Sequence, residues 1–444
     1  MMPAEHGPGH ELEQWEAQAM EAVAMEAEAA GQWLRAAAAY GRAAACSGDD
    51  YQLLANAANA YWLADRPHQA LEPYRQAVQL APHDPVVYRG LGNVYTDLQK
   101  FEAAERCYRI SLQLADEAAT AWNLSQLLIG LERYALGYGL AERRWQLEGA
   151  DPYLDPAEAW RGEVEGDRDP LLVWSEQGYG DIFQHLRWVG SLIQRRGPTA
   201  PPLVLDVEPP LVGLLQEGLA HLRPAPLVRG KQAAAPPAEQ WRGRHVSLLS
   251  LPALLAAHPS PPGACRLASD QWPALRSPGP SPRRVGLVWA AGRKLENPFT
   301  AREYWRRSLD DAALGALIAG LAELGAECVL LQFGEDSHRA DPWIHRTAAS
   351  LPEGADFGST ARVVAGLDLV ISVDTAMAHL VGAMGRPGWV LLPFSAAPRW
   401  LRQRQDTPWY PTLRLFRQSC AGEWGEVISS VLEAFAGLMH DYGP

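Results

Sequence analysis

Four short segments gather the residues that could do chemistry. In Trp174-Ser-Glu-Gln-Gly-Tyr-Gly-Asp181, Gly178 and Gly180 let the chain turn tightly before a helix expected over 182–189, with Asp181 in its first turn. A carboxylate there can take a proton from a hydroxyl. It can also simply cap the helix and favour its dipole, and taken alone capping is the stronger reading. In Val285-Gly-Leu-Val-Trp-Ala-Ala-Gly-Arg-Lys294, a glycine turn leaves a strand with Arg293, Lys294, Arg302, Arg306, Arg307 and Ser308 beyond it. Such cations suit a diphosphate whose charge grows as it departs, and a solvated basic loop is the plain alternative. Only three lysines occur in the chain, Lys100, Lys231 and Lys294, which singles out Lys294.

The third segment, Leu369-Val-Ile-Ser-Val-Asp374-Thr375-Ala376-Met377-Ala378-His379, reads as a buried strand followed by small and polar residues that open a helix. The bare N–H groups and the dipole at such a start attract anions. A lone histidine on a helix is usually structural, but His379 lies within two turns of that start, close enough to act beside phosphates. The fourth segment runs from Pro393-Phe through Arg399-Trp400 and Asp406 to Gln418 and is rich in aromatics and arginine. It suits either a pocket wall or a packed crossover, with Trp409 and Phe416 read as core.

The elements that must hold these segments follow from length and pattern. With 444 residues, two or three domains are expected. A shift of 34 residues, the tetratricopeptide period, aligns Leu54 with Tyr88, Ala58 with Gly92, Tyr61 with Tyr95, Ala70 with Ala104 and Tyr74 with Tyr108. Small residues let paired helices approach, aromatics fill the gap to the next pair, and Pro82 ends a helix. Tetratricopeptide helix pairs are therefore expected over 12–148, presenting a groove to a peptide or protein or serving as a spacer.

Beyond Leu171 short apolar runs alternate with helical stretches, the mark of βαβ units. Strands are expected at Leu171–Trp174, Leu203–Val207, Val285–Trp289, Cys328–Phe333, Leu369–Val373 and Trp389–Leu392. Arg276–Arg284, rich in proline and serine, reads as a linker between two α/β halves, 168–275 and 283–437. Ligands bind such sheets at the carboxyl ends of the strands. The fold class is thus α plus α/β.

Composition removes several functions. A net charge of −13 makes a poor non-specific binder of nucleic acid or anionic membrane. The five cysteines form no C-x-x-C pair, so a disulfide framework and a structural zinc site are not expected and a reducing compartment fits. No signal peptide or membrane span is read, which gives a cytoplasmic expectation. No G-x-G-x-x-G follows a strand, which argues against a dinucleotide oxidoreductase.

Together SEQGYGDIFQHLRW, RVGLVWAAG, DLVISVDTAMAHLVGAMGRPGWVLLP and DTPWYPTLRLFRQ resemble bacterial glycosyltransferases related to the ADP-heptose:lipopolysaccharide heptosyltransferases. They look most like the branch with tetratricopeptide repeats fused ahead of the transferase, where protein glycosylation has been proposed. The resemblance implies a GT-B pair of Rossmann-like domains, acceptor first and nucleotide-sugar donor second, without metal or other cofactor. It implies Asp181 as catalytic base and Gln177, Gly178 and Gly180 as acceptor loop. Arg293, Lys294, Gln332, Asp374, Thr375 and His379 fall at its donor positions, and Glu335 beside Gln332 at the strand end that meets the nucleoside. The implied partners are a nucleotide sugar and a protein or glycan acceptor held by the repeats, which could also support an oligomer. Ala397-Pro398 depart from the Asp-Trp expected before Arg399-Trp400, and the loop after Gly292 departs from the family wording. The other expectation is a repeat scaffold whose GT-B half only binds.

Overall fold

The structure is a computed structural model. It describes residues 8–440 apart from 49, 164–168, 232–240, 242, 256–265, 275–282, 345–349 and 352–353, with side chains described from 13 to 439. The chain forms two compact units: Met1–Leu128 with Arg293–Arg306, and Ile129–Gly292 with Arg307–Pro444.

The first unit is a stack of antiparallel helix pairs. Its helices are α1 (Pro8–Ala29), α2 (Trp33–Cys46), α3 (Tyr51–Leu63), α4 (Pro67–Leu80), α5 (Pro85–Asp97) and α6 (Phe101–Leu114). α7 (Ala118–Gly130) carries the series into the second unit, where α8 (Tyr134–Ala141) follows. The tetratricopeptide period is written into the ends of the helices as well as their faces. Asp50 and Asp84, one period of 34 apart, cap α3 and α5 by accepting from the N–H groups of Gln52 and Val86, each at 2.8 Å. Gly31, Asp65 and Gln99, again one period apart, stop the first helix of each pair in the left-handed conformation with φ of 67°, 56° and 56°. The residue after each closes the turn: Gln32, Arg66 and Lys100 donate their N–H groups to the carbonyls of Ala27, Tyr61 and Tyr95.

The close approach of helices is visible at Gly92. A Cβ there would sit 2.5 Å from Cε1 of Tyr108, so the aromatic ring takes the space a side chain would need. Ala36, Ala43, Ala57, Ala58, Ala70, Ala77 and Ala104 are all buried, as the sequence spacing predicts.

The second unit holds two parallel sheets of Rossmann-like type. One is four-stranded in the order β3-β2-β1-β4, from β1 (Leu172–Trp174), β2 (Val204–Val207), β3 (Leu227–Gly230) and β4 (His245–Ser247). The other is five-stranded in the order β6-β5-β7-β8-β9. Its strands are β5 (Arg284–Val288), β6 (Glu327–Leu330), β7 (Leu369–Val373), β8 (Gly388–Leu392) and β9 (Leu413–Arg417). Every strand pair is parallel. Strands β7 and β8 are buried along their whole length, which explains their uninterrupted apolar runs.

The helices that matter for the site are α9 (Tyr179–Arg196), after β1, and a helix at Ala376–Ala383, after β7; these two pack together. Between them along the chain run α10 (Val212–Gly218), α11 (Leu251–Leu255), α12 (Pro298–Arg307), α13 (Asp311–Glu323) and α14 (Phe357–Ala365). The helix at Ala376–Ala383 is thus α15, and α16 (Gly425–His440) closes the chain. The buried core takes Ile182, Phe183 and Leu186 from α9 and Met377, Leu380 and Val381 from α15.

Three features differ from the sequence reading. α9 runs from 179 to 196, longer than 182–189, because the apolar pattern ends before its polar last turn of Gln194, Arg195 and Arg196. Strands β3, β4 and β9 lack a distinctive run: β3 alternates exposed Leu227 and Arg229 with buried Val228, and β4 is three residues. Of the expected linker, 276–282 lies outside the described residues, and Arg284 already opens β5.

The unit boundaries also depart from a clean division at 148. Tyr134 and Tyr138 on α8 pack edge-on against Trp409 and Trp188, each with centroids 5.6 Å apart, which ties α8 to the α/β unit. Conversely, 293–306 belongs with the repeats. Among the described residues no helix is long and apolar enough to cross a membrane.

Candidate functional site

The cluster in the α/β unit starts at the loop after β1. Gln177 adopts φ of 63°, a left-handed conformation that a non-glycine residue holds only at a cost, and the chain then enters α9 at Gly178. One oxygen of Asp181 accepts from the Gly178 N–H at 3.3 Å, so the capping role is real. The other oxygen, Oδ1, lies 2.8 Å from Nη1 of Arg399. The same residue therefore caps its helix and faces a cation from the far sheet's last crossover.

Arg144 braces this loop from below. It is buried, donates to Glu176 from Nε at 3.2 Å and Nη2 at 2.6 Å, and bonds Ser250 Oγ at 2.8 Å. Ser247 also donates to Glu176. The residue three before Gly180 is held by its neighbour in this way.

Across from Asp181 stands the start of α15. Thr375 caps it, its hydroxyl accepting from the Met377 N–H at 3.2 Å and lying 3.1 Å from Ser372 Oγ. Asp374 is buried; its Oδ2 makes no hydrogen bond, and Nη1 of Arg307 stands 3.9 Å away while donating to the Asp374 carbonyl at 3.2 Å. The two helix starts meet at Gly180, where a Cβ would come within 2.9 Å of Cδ2 of His379 and 3.7 Å of the Ala376 Cα. Glycine is required there by a neighbour, not by backbone conformation.

His379 is buried between Gly180 and Trp400, with its ring stacked on the indole at 4.9 Å. Its Nδ1 lies 3.0 Å from the Tyr410 hydroxyl. Arg187 also donates toward that hydroxyl. Its Nε2 is buried without a hydrogen-bond partner. Burial, reinforced by Arg399, holds His379 well below the ordinary histidine range, so it is neutral.

His185, one turn into α9, donates from Nδ1 to the Asp181 carbonyl at 2.7 Å and stacks on Trp188. Burial lowers it to about 4. For Asp181, burial pushes the carboxyl up, but Arg399 and the Gly178 N–H override it and hold the group below its usual range. Arg399 pairs with Asp181, and the charges of Asp181 and Asp374 more than offset its burial and keep it charged.

The other sequence candidates fall elsewhere. Gln332 is buried, and its Oε1 accepts from the N–H groups of Trp289 and Ala290 at 3.0 and 2.9 Å. Its Nε2 donates to the carbonyls of Ala290 and Phe333, so it braces the end of β5. Glu335 is exposed at the start of a 3-10 turn, Glu335–Ala340. Arg293 and Lys294 are exposed and belong to the repeat unit. Arg302 and Arg306, read from the sequence as suiting either a diphosphate or a solvated basic loop, are instead neutralised inside that unit by Asp65 and Asp97. Trp409 and Phe416 are core, as expected. The sequence reading quoted Arg399, Arg187, His185 and Tyr410 within its motifs and gave none of them a role. No spacing rule links position 399 to 181; only the packing of α9 on α15 does.

No family model matches the chain. It is 28% identical over 396 residues to Protein FlbA of Caulobacter vibrioides, an alignment that covers 81% of this chain and 63% of that protein. The chain thus spans less than two thirds of that relative's length. Among solved structures, MamA aligns at 15% identity over 30% of this chain and 72% of its own, with a TM-score of 0.28. PilF of Pseudomonas aeruginosa aligns at 22% identity over 31% of this chain and 63% of its own, also with a TM-score of 0.28. The first tetratricopeptide domain of Spaghetti, bound to an HSP90 peptide, aligns at 21% identity over 27% and 94%, with a TM-score of 0.26.

Proposed function

We propose that this chain is a metal-independent, inverting glycosyltransferase of GT-B type, with a protein or glycan acceptor recruited by the repeats. The observation that carries the reading is Asp181. It sits in the first turn after a parallel strand, ionised, facing Arg399 and the capped start of α15. In the reaction Asp181 takes the proton of an acceptor hydroxyl as that oxygen bonds to the anomeric carbon. The bond from that carbon to the donor diphosphate breaks on the opposite face, and the nucleoside diphosphate leaves with the electron pair. A positioned base is worth on the order of 10²–10⁴ in rate. The N–H groups opening α15 and the Arg399 guanidinium suit the departing diphosphate, whose charge grows only as the bond breaks.

The test is release of nucleoside diphosphate from a panel of nucleotide sugars, with and without candidate protein and saccharide acceptors. One donor should turn over, and Asp181→Asn should remove most of that turnover. An unchanged kcat in the variant would overturn the base assignment. One observation favours the second reading, a repeat scaffold whose α/β unit only binds: Asp181 is engaged on both oxygens. Nucleotide binding to a protein inert toward every donor and acceptor would select it.

A further inference from the structure

The Asp181–Arg399 pair joins the expected base to a cation that a diphosphate would also claim. Arg399 lies in the 3-10 turn Pro398–Trp400 that follows β8, and the chain leaves that turn at Leu401 with φ of 57°. Its guanidinium pairs with Asp181 at 2.8 Å, and the negative charge of Asp374 acts on it as well. The surroundings are not otherwise satisfied. Asp374 Oδ2 and His379 Nε2 are both buried without hydrogen bonds, the second of them beside Gly180.

We infer that Arg399 is an exchangeable counter-ion: it neutralises Asp181 while the site is empty and turns to the donor's diphosphate when that binds, releasing the carboxylate to act as base. The inference rests on the proposed glycosyl transfer and adds an order of events to it. A base locked by arginine is a poor proton acceptor, because the pairing stabilises its charged form. Once the guanidinium moves to the phosphates, burial is the largest influence left on Asp181, and burial makes a carboxylate more basic. The base would thus be competent only with donor in place, and a site without donor would not activate an acceptor hydroxyl or water. Arg399 also gains a bidentate partner, since its planar fork matches phosphate oxygens.

The exchange makes a counterintuitive demand. Removing the charge of the base should strengthen nucleotide binding, because Arg399 no longer has to leave a carboxylate. Calorimetry on the full chain with pyrophosphate and with ADP, GDP, UDP, CDP and dTDP tests this. Asp181→Asn should bind the preferred diphosphate at least tenfold more tightly than the natural protein, and Arg399→Gln at least tenfold more weakly. Arg399→Lys keeps the charge beside Asp181 and Asp374 where Arg399→Gln could unfold the chain; it should weaken binding by losing the fork. Equal affinity in Asp181→Asn and the natural protein overturns the exchange, and so does undiminished affinity in Arg399→Lys or Arg399→Gln. No binding of any probe to Asp181→Asn overturns it too. Transfer that is lost in Asp181→Asn while its diphosphate affinity stays unchanged would leave the proposed function standing and remove only the exchange.

Discussion

Arg302 donates to Asp97 at 2.6 Å inside the repeat unit, from a segment 205 residues further along the chain. Both are buried, and the same Asp97 oxygen accepts from Trp62 Nε1 at 2.7 Å while the Arg302 guanidinium lies 4.3 Å over the Trp62 ring. Arg302 also reaches Asp65 at 2.9 Å, and Arg306 approaches both aspartates at 3.4 Å. α12 is thus fastened to the turns that end α3 and α5 by two arginines and two carboxylates. Cations expected at a phosphate serve to anchor a segment.

Breaking this cluster from one side should be costly. Asp97→Ala leaves Arg302 with Asp65 and Arg306 with Asp65 and Glu303, and strips Trp62 Nε1 of its acceptor. Loss of one partner of a buried pair costs about 3–5 kcal/mol. Chemical denaturation should show that loss in the transition of the repeat unit, and Asp97→Leu combined with Arg302→Met should recover a large part of it. A double variant no better than the single would mean that the charges themselves hold the segment.

Gly180 offers a sharper test of the site's geometry. In Gly180→Ala the new methyl would sit 2.9 Å from His379 Cδ2, and the imidazole is backed by Trp400, so it has little room to yield. Overpacking of this kind costs about 1–3 kcal/mol. The expected result is a lower unfolding midpoint together with weakened diphosphate binding, since α9 must move off α15. A variant as stable as the natural protein would show that the two helix starts are looser than they stand here.

How much of this was legible in the sequence follows from what each feature depends on. Tyr74, Tyr108 and the buried alanines repeat at a fixed interval, so the helix pairs could be read directly. Strands β7 and β8 are covered on both faces and announce themselves as apolar runs. Strand β3 has exposed residues on one face and does not. Asp181, Asp374, Thr375 and His379 could be found because each stands at a strand-to-helix turn with its own local pattern. Arg399 could be quoted but not assigned, because its partner lies 218 residues away and only tertiary packing brings it there. Arg302 misled for the converse reason: an arginine after a glycine turn looks the same whether it meets a phosphate or two aspartates.

The last prediction concerns pH. His185 is buried and held to about 4 in the folded protein, against an ordinary value of 6.5. Between those values the unfolded chain binds a proton that the folded chain refuses, so stability rises with pH across the window. The contribution is fully present above 6.5, is lost progressively as pH falls toward 4, and amounts to about 3 kcal/mol for a shift of this size. His379, also depressed by burial, acts in the same direction. Asp181 does not offset it, because its depressed carboxyl adds stability that is lost only below its ordinary value of 3.8. Unfolding midpoints measured at pH 7.5 and pH 5 should therefore differ by several degrees in the natural protein. The difference should shrink in His185→Gln, whose amide can still donate toward the Asp181 carbonyl but does not titrate. An equal pH dependence in that variant would show that His185 takes up its proton in the folded state without cost, and that the packing around Trp188 and Arg187 is open enough to admit water.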